Sequence, residues 1–424
     1  MLRPLLSAIM CALFLSTTAP LPIHAADGVD DLPDIAAALP LLTDDLAAEV
    51  PVPTPVVVAT EAPTAVPTAA PTPEPTPAPT TAAVVRVAAP RPANAFVYGT
   101  HISALDHAAT AHQDGFRLMW GYVSWQQVEP NRGDFLFRKQ DKWGKPLPNA
   151  LTNVINAAAQ ADMKIILRLD EVPAWAGGNP AHLDPNDLEQ YLYETVRYGK
   201  GTIQYVEIFN EPNLPYEWGG APDPAAYARL LAAAYRGVKR ADQNVSVIAA
   251  AVAQKTGARG GSMEDVDFIR GLYAAGGRDS FDVLGMHAYL GNFSPETDPN
   301  TCSPMCFRDV ERFRAVMDSS GDGGKPAFIT EIGALEQTGV DLGQYAWMEL
   351  PADKRAEYLV RALQMANGNY PWIRGAMVFN FDYATVPWVS QSSEQFWFSL
   401  LNANGTPRLA LDRFVAARRD GRLP

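Results

Sequence analysis

Past residue 95 the chain alternates short apolar runs with longer stretches in which apolar residues recur every three or four positions. The short runs, rich in β-branched and aromatic side chains, fall at 96–102, 116–120, 164–170, 204–210, 245–251, 282–289, 327–331 and 376–381. Runs of that length and make-up predict strands. Helical periodicity covers 149–161, 186–198, 224–241, 263–274, 310–317, 354–366 and 409–419. Eight strand-then-helix units at a spacing of roughly 40 residues predict an α/β protein, a (β/α)8 TIM barrel. The alternative is an open doubly wound sheet, but no GxGxxG follows the first strand to support it. Residues 96–424 are about 330 in number, enough for one large core.

Before residue 96 the pattern is different. Arg3 precedes an apolar run over 5–17, too short to span a bilayer comfortably, and Ile23-His24-Ala25 offers a small residue for cleavage. Residues 1–26 therefore read as a secretory signal, with an uncleaved anchor as the other reading; Cys11 is expected to leave with it. Residues 27–95 read as an acidic, then Pro/Thr/Ala-rich disordered linker. About a third of the 36 prolines fall between Pro51 and Pro92, around the run PTPEPTPAPTT. Proline at that density removes backbone donors and fixes φ, leaving an extended, semi-rigid spacer.

Charge and cysteine content remove several function classes. The net charge is −13, and residues 27–95 alone hold nine acidic and two basic side chains. No basic face for nucleic acid and no Lys/Arg run for a membrane surface is present. Three Cys exclude a disulfide framework or a Cys-rich metal module. The six His form no HExxH pattern, so a zinc hydrolase is not expected, although a carboxylate-bound metal stays open. Cys302 and Cys306, four apart in the loop after the sixth strand, are expected to form a small local disulfide in an exported protein.

A barrel places its active site at the C-terminal ends of its strands. Strand four ends in Asn210-Glu211-Pro212-Asn213 and strand seven in Thr330-Glu331-Ile332-Gly333. Two half-desolvated Glu facing each other across the mouth suit cleavage of a glycosidic bond, one as acid and one as carboxylate. About 5–5.5 Å between the carboxyl groups implies retention of configuration, and about 6.5–9.5 Å inversion. His287 and Tyr289, two apart, share a face. The tyrosine hydroxyl could bond the nucleophile, and His287 is either a site residue or a core histidine. Glu207 reads as a buried structural carboxylate, and Glu129 as the residue fixing the loop after strand two. Asp170, Glu171 and Asp382 are ambiguous. Among Trp120, Trp125, Trp175, Trp218 and Trp388, each could be core or sugar platform, and Trp388, after strand eight, is the favoured platform.

The Asn-Glu-Pro and Thr-Glu-Ile-Gly motifs together resemble clan A of the glycoside hydrolases, retaining (β/α)8 enzymes. The resemblance implies that Glu211 is the acid/base, Glu331 the nucleophile and Asn210 the contact of the sugar 2-hydroxyl. Arg117 matches a strand-two arginine beside the nucleophile, and His287-Ala288-Tyr289 matches an HxY on strand six. Trp125-Gln126-Gln127-Val128-Glu129-Pro130 is similar to the clan's loop after strand two, and Leu401-Asn402-Ala403-Asn404-Gly405-Thr406-Pro407 to the stretch before the last helix. The run Asn210-Glu211-Pro212-Asn213-Leu214-Pro215-Tyr216-Glu217-Trp218 looks most like family 39, with families 5 and 42 less close. The expectation is an exported, monomeric, retaining glycoside hydrolase that cleaves β-linked oligo- or polysaccharides by double displacement, needs no metal or organic cofactor, and is secreted or held at the cell surface. The alternatives are a non-catalytic carbohydrate-binding barrel, to which the unmatched insertion 139–148 points, or a transglycosidase.

Overall fold

In this computed structural model the described residues are 96–144, 147–249 and 251–424. The expected signal (1–26) and linker (27–95) lie outside the described residues. The eight apolar runs form eight parallel strands: β1 (Val97–Ile102), β2 (Leu118–Gly121), β3 (Lys164–Arg168), β4 (Ile203–Ile208), β5 (Ser246–Ala249), β6 (Val283–His287), β7 (Ala327–Ile332) and β8 (Ile373–Val378). They close into one barrel, each beside its sequence neighbour, with β8 returning to pair with β1 from Val97↔Gly375 to Thr100↔Val378. Closure removes both sheet edges. The expected (β/α)8 architecture is therefore the observed one.

The inside of the barrel is packed rather than hollow. Leu118, Trp120, Ile166, Ile248, Val283, Phe328 and Met377 form a buried cluster supplied by six strands. Where two strands come closest the chain uses glycine: a Cβ on Gly99 would lie 2.0 Å from Met377 Sδ and 2.8 Å from Leu118 Cβ. The outer layer follows helix chemistry. The helix Pro224–Ala241 starts with Asp223 accepting from the backbone N–H of Ala225 and Ala226, carries Pro224 in its first turn, and ends in Lys239 and Arg240. A capping carboxylate at the N-terminus and cations at the C-terminus both suit the helix dipole. Its apolar face (Tyr227, Leu230, Leu231, Ala234, Val238) is buried, and it packs extensively along the helix Pro185–Tyr198. No described helix is long and apolar enough to cross a membrane.

Three features bear on the mouth. First, β7 is irregular against both neighbours. Met286↔Ile329 is followed by His287↔Glu331, and Ala376↔Ile329 by Val378↔Ile332. The extra residue re-aims the side chains that follow, as a bulge does. Second, after β7 the chain makes a two-stranded ribbon, Leu335–Glu336 against Glu349–Leu350. Buried Arg355 ties it down, donating to the carbonyls of Ala334 (2.9 Å), Phe398 (2.6 Å) and Ser399 (2.9 Å) and to Glu336 Oε2 (2.7 Å). Arg408 holds the other oxygen of Glu336 at 3.2 Å. Third, Cys302 and Cys306 are joined as a disulfide in the loop after β6.

Candidate active site

Both glutamates lie where their strands end. Glu331 is the fifth residue of β7 and only 7% exposed. Three groups converge on its carboxylate. Arg168, the last residue of β3, donates from NH1 to Oε1 at 2.9 Å, and the Tyr289 hydroxyl donates to Oε2 at 2.6 Å. His287 Nδ1 is 3.7 Å from Oε2. Burial alone would raise this carboxyl, but the positive charges of His287, His101 and Arg168 and the Tyr289 hydrogen bond outweigh it and hold it at about 2. His101 is itself held down to about 4, chiefly by burial, so near neutrality His287 and Arg168 supply the field. Burial and the charge of Glu331 push the Tyr289 hydroxyl well up, so it remains a donor.

Glu211 sits three residues past the end of β4 on a tightly turned segment. Phe209 (φ 67°) and Glu211 (φ 36°) both adopt left-handed backbone, which side-chain-bearing residues avoid. The turn is clamped to the loop after β5: Glu211 N–H donates to Ala251 O at 3.1 Å, and Ala253 N–H to Asn213 Oδ1 at 2.8 Å. Asn213 Nδ2 in turn donates to the carbonyls of Ala253 and Met263, both at 3.0 Å. The Glu211 side chain is 18% exposed and has one strong partner, His287 Nδ1, at 2.7 Å from Oε1. His287 is buried, which alone would lower it, but the carboxylates of Glu331, Glu211 and Glu207 raise it to about 9. One imidazole nitrogen thus touches both carboxylates. The two distances, 2.7 and 3.7 Å, add to about 6.4 Å, which is the upper limit on the separation of those oxygens.

Asn210 lies between the pair's supports, accepting from Arg168 NH1 on Oδ1 and donating from Nδ2 to Glu217 Oε1, both at 3.0 Å. Arg168 also bonds Asp170 at 3.1 Å and stands 4.7 Å over the Trp120 ring, against which His101 packs at 4.8 Å. Burial, with the charge of Glu211 added, pushes the Glu217 carboxyl up to about 7.

The expected residues sort clearly. Glu211, Glu331, Asn210, His287 and Tyr289 come together. Arg117 does not. It precedes β2, at the opposite end of the strand from the mouth, and donates to the carbonyls of His112 (2.8 Å) and Phe116 (2.9 Å). The strand predicted over 116–120 begins two residues later, and Arg168 on β3 fills the place beside the nucleophile. Trp388 lies in the loop after β8, 37% exposed. Trp125 and Trp218 are core, at 0% and 1% exposure. Glu129 fixes its loop through Trp125 Nε1 (2.8 Å) and Gly133 N–H (2.6 Å). Asp382 is structural, accepting from Ser103 and Ala104 N–H at 2.7 and 2.9 Å. Arg168, His101 and Glu217 were missed; the signal for Arg168 was its position as the last residue of a barrel strand. The only cluster of potential metal ligands among the described residues, Cys302, Cys306 and Asp309, has its sulfurs joined to each other.

A family model, cellulase (glycosyl hydrolase family 5), matches residues 86–368. The chain belongs to that family. This glycosyl hydrolase family 5 member has the clan A architecture, and its likeness extends beyond one family. A family 39 glycoside hydrolase from the gut symbiont Bacteroides cellulosilyticus WH2 superposes with a TM-score of 0.56 at 18% identity, over 75% of this chain and 62% of that one. The family 39 enzyme of Xanthomonas axonopodis pv. citri gives 0.55 at 19%, over 78% and 68%. An exo-β-1,4-mannosidase from Opitutaceae bacterium strain TAV5 gives 0.52 at 16%, over 77% and 59%. The chain thus spans less than two thirds of the first and third of these structures, and at such identities the likeness is one of fold. No curated protein matches the chain significantly. The family 5 match and the family 39 appearance of the run from Asn210 to Trp218 both fall within clan A.

Proposed function

We propose that this family 5 member is an exported, retaining glycoside hydrolase that cleaves β-linked oligo- or polysaccharides as a monomer. The observation that carries the reading is the shared imidazole nitrogen. It keeps one oxygen of Glu211 within about 6.4 Å of one oxygen of Glu331, so that both carboxyls can act on one sugar ring, the pairing that glycoside cleavage by two carboxylates requires. The difference in surroundings assigns the roles. Glu331, held at about 2 by its cationic and hydroxyl partners, stays ionised and is the nucleophile. Glu211, more exposed and with one oxygen on His287, has its other oxygen available to a leaving group.

In the first step Glu331 attacks the anomeric carbon and forms an ester bond. The glycosidic C–O bond breaks, and its oxygen takes a proton from Glu211. In the second step Glu211 removes a proton from water, the hydroxide bonds to the same carbon, and the carboxylate of Glu331 leaves. The Tyr289 hydroxyl and Arg168 orient Glu331 throughout. The leader expected over 1–26 supports export, and the Pro-rich segment that follows supports a tether at the cell surface. The test is incubation with 2-fluoro glycosides bearing a good leaving group, followed by peptide mass spectrometry. A glycosyl adduct on Glu331 is expected; an adduct elsewhere, or product of inverted configuration, overturns the assignment.

A further inference from the structure

Asn210 is held from both ends, and the Arg168 end can bond it in only one way. A guanidinium has donors and no acceptor, so Arg168 NH1 at 3.0 Å must face the amide oxygen. The nitrogen end then faces Glu217 Oε1, also at 3.0 Å, and a carboxylate accepts. These two bonds leave one amide N–H uncommitted.

Glu217 is in turn placed by the chain around it. It belongs to a single helical turn, Pro215–Trp218, that starts on a proline and ends on Gly219 at φ 92°. Its neighbour Trp218 is 1% exposed, with its ring centroid 6.3 Å from that of Tyr227. Backbone bonds from Leu214 N–H to Glu211 O (2.9 Å) and from Trp218 N–H to Leu214 O (3.0 Å) tie the turn to the acid/base segment. At Gly219 a Cβ would lie 2.3 Å from Asn179 Cγ, so that corner has no room to shift. The same short stretch of backbone therefore carries both Glu211 and the anchor of Asn210.

We infer that Glu217 is a positioning residue for the reaction: it fixes the Asn210 amide so that its remaining N–H meets an acceptor on carbon 2 of the sugar, and it thereby selects glycosides with a free 2-hydroxyl. An ammonium at carbon 2 offers only donors and a 2-deoxy carbon offers nothing, so both are discriminated against. This inference rests on the proposed hydrolytic function and on Asn210 as the contact of carbon 2.

The experiment compares kcat/KM for the best 4-nitrophenyl β-glycoside in a panel with that for its 2-deoxy counterpart, in the wild type, Glu217→Ala and Glu217→Gln. Bonds to the 2-hydroxyl strengthen in the transition state, so the wild type should prefer the 2-hydroxy substrate by about 10²–10³-fold beyond the intrinsic reactivity difference. Glu217→Ala should reduce that preference by about 10-fold or more, with the loss falling on the 2-hydroxy substrate alone. Glu217→Gln keeps an oxygen for the Asn210 amide and should keep the preference within about threefold. Equal losses on both substrates in Glu217→Ala, or no loss on either, would overturn the inference. If Glu217→Ala does not fold, Glu217→Leu and the Asn210→Ala single variant take its place, and a preference unchanged in them overturns it equally. A wild type inactive on the whole panel removes the proposed function, and this inference with it; an active wild type with equal losses removes the inference only.

Discussion

The two ends that meet at the mouth are built differently. At the end of β7, Glu331 is nearly enclosed and has Arg168, Tyr289 and His287 about it. At the end of β4, Glu211 is more open, sits on left-handed backbone and leans on His287 alone. The first arrangement holds a charge still; the second leaves one carboxyl oxygen open to a leaving group. The same side-chain chemistry is thus split into two roles by its surroundings.

Replacing each glutamate in turn should break this contrast most severely. Glu331→Gln removes the attacking oxygen and is expected to lower kcat by roughly 10⁴-fold or more for every substrate. Glu211→Gln should cost about 10²–10⁴-fold with poor leaving groups and far less in the first step with 4-nitrophenolate, which needs no proton to depart. Steady-state rates over a series of leaving groups measure this. A flat loss in both variants would mean that the two positions do not divide the work as their surroundings suggest.

Much of this is legible in the chain itself. Strand rhythm located eight strands, most within two residues, because parallel barrel strands buried on both faces are near-continuous apolar runs. Glu211 and Glu331 stood out as carboxylates where such runs stop, and the two-residue spacing of His287 and Tyr289 placed them on one face. Arg168 did not stand out, since the third apolar run reads through to Asp170 and places Arg168 inside it, whereas the backbone leaves the sheet at Arg168. The irregular pairing of β7 around Thr330 is likewise a property of three strands together. Arg117 was misplaced for a local reason: Phe116 is apolar enough to extend the run, but the backbone joins the sheet only at Leu118.

Changing pH sharpens the contrast. Glu331 has a value depressed to about 2, so its contribution to stability is complete above the ordinary carboxylate range and is lost as pH falls through about 2. His287 is raised to about 9, so its contribution is complete below its ordinary value of 6.5 and is lost as pH rises through about 9. The acid limb of kcat/KM should therefore belong to the β7 end. The basic limb should follow the loss of the His287 charge at about 9. Arg168→Met is expected to raise the acid limb by at least one pH unit while leaving the basic limb in place, with a loss of about 10–10²-fold at neutral pH. Profiles in which both limbs move together would show that Arg168 acts on the whole site and not on Glu331.

The smallest expected effect concerns how the β7 end keeps its order. The Tyr289 backbone N–H donates to Gln254 Oε1 at 2.7 Å, and Gln254 is itself buried. Its Nε2 reaches the Cys306 carbonyl at 3.2 Å and Asp309 Oδ2 at 3.3 Å. Lys255 binds the same loop through Asp309 Oδ1 (2.8 Å) and the Cys302 carbonyl (3.1 Å). The disulfide loop is thus linked through Gln254 to the backbone of the tyrosine that orients Glu331. Gln254→Leu keeps the volume but leaves the Tyr289 N–H without its acceptor. A small displacement of the Tyr289 hydroxyl should lower kcat about 3–10-fold, hold KM within about twofold, and raise the acid limb slightly as Glu331 loses part of its support. Tyr289→Phe should show the same signature more strongly, and the double variant should add little, because both act through one contact. A lower melting temperature with unchanged kcat in Gln254→Leu would instead mean that β6 alone sets the tyrosine, and that the order at Glu331 stops at its three immediate partners.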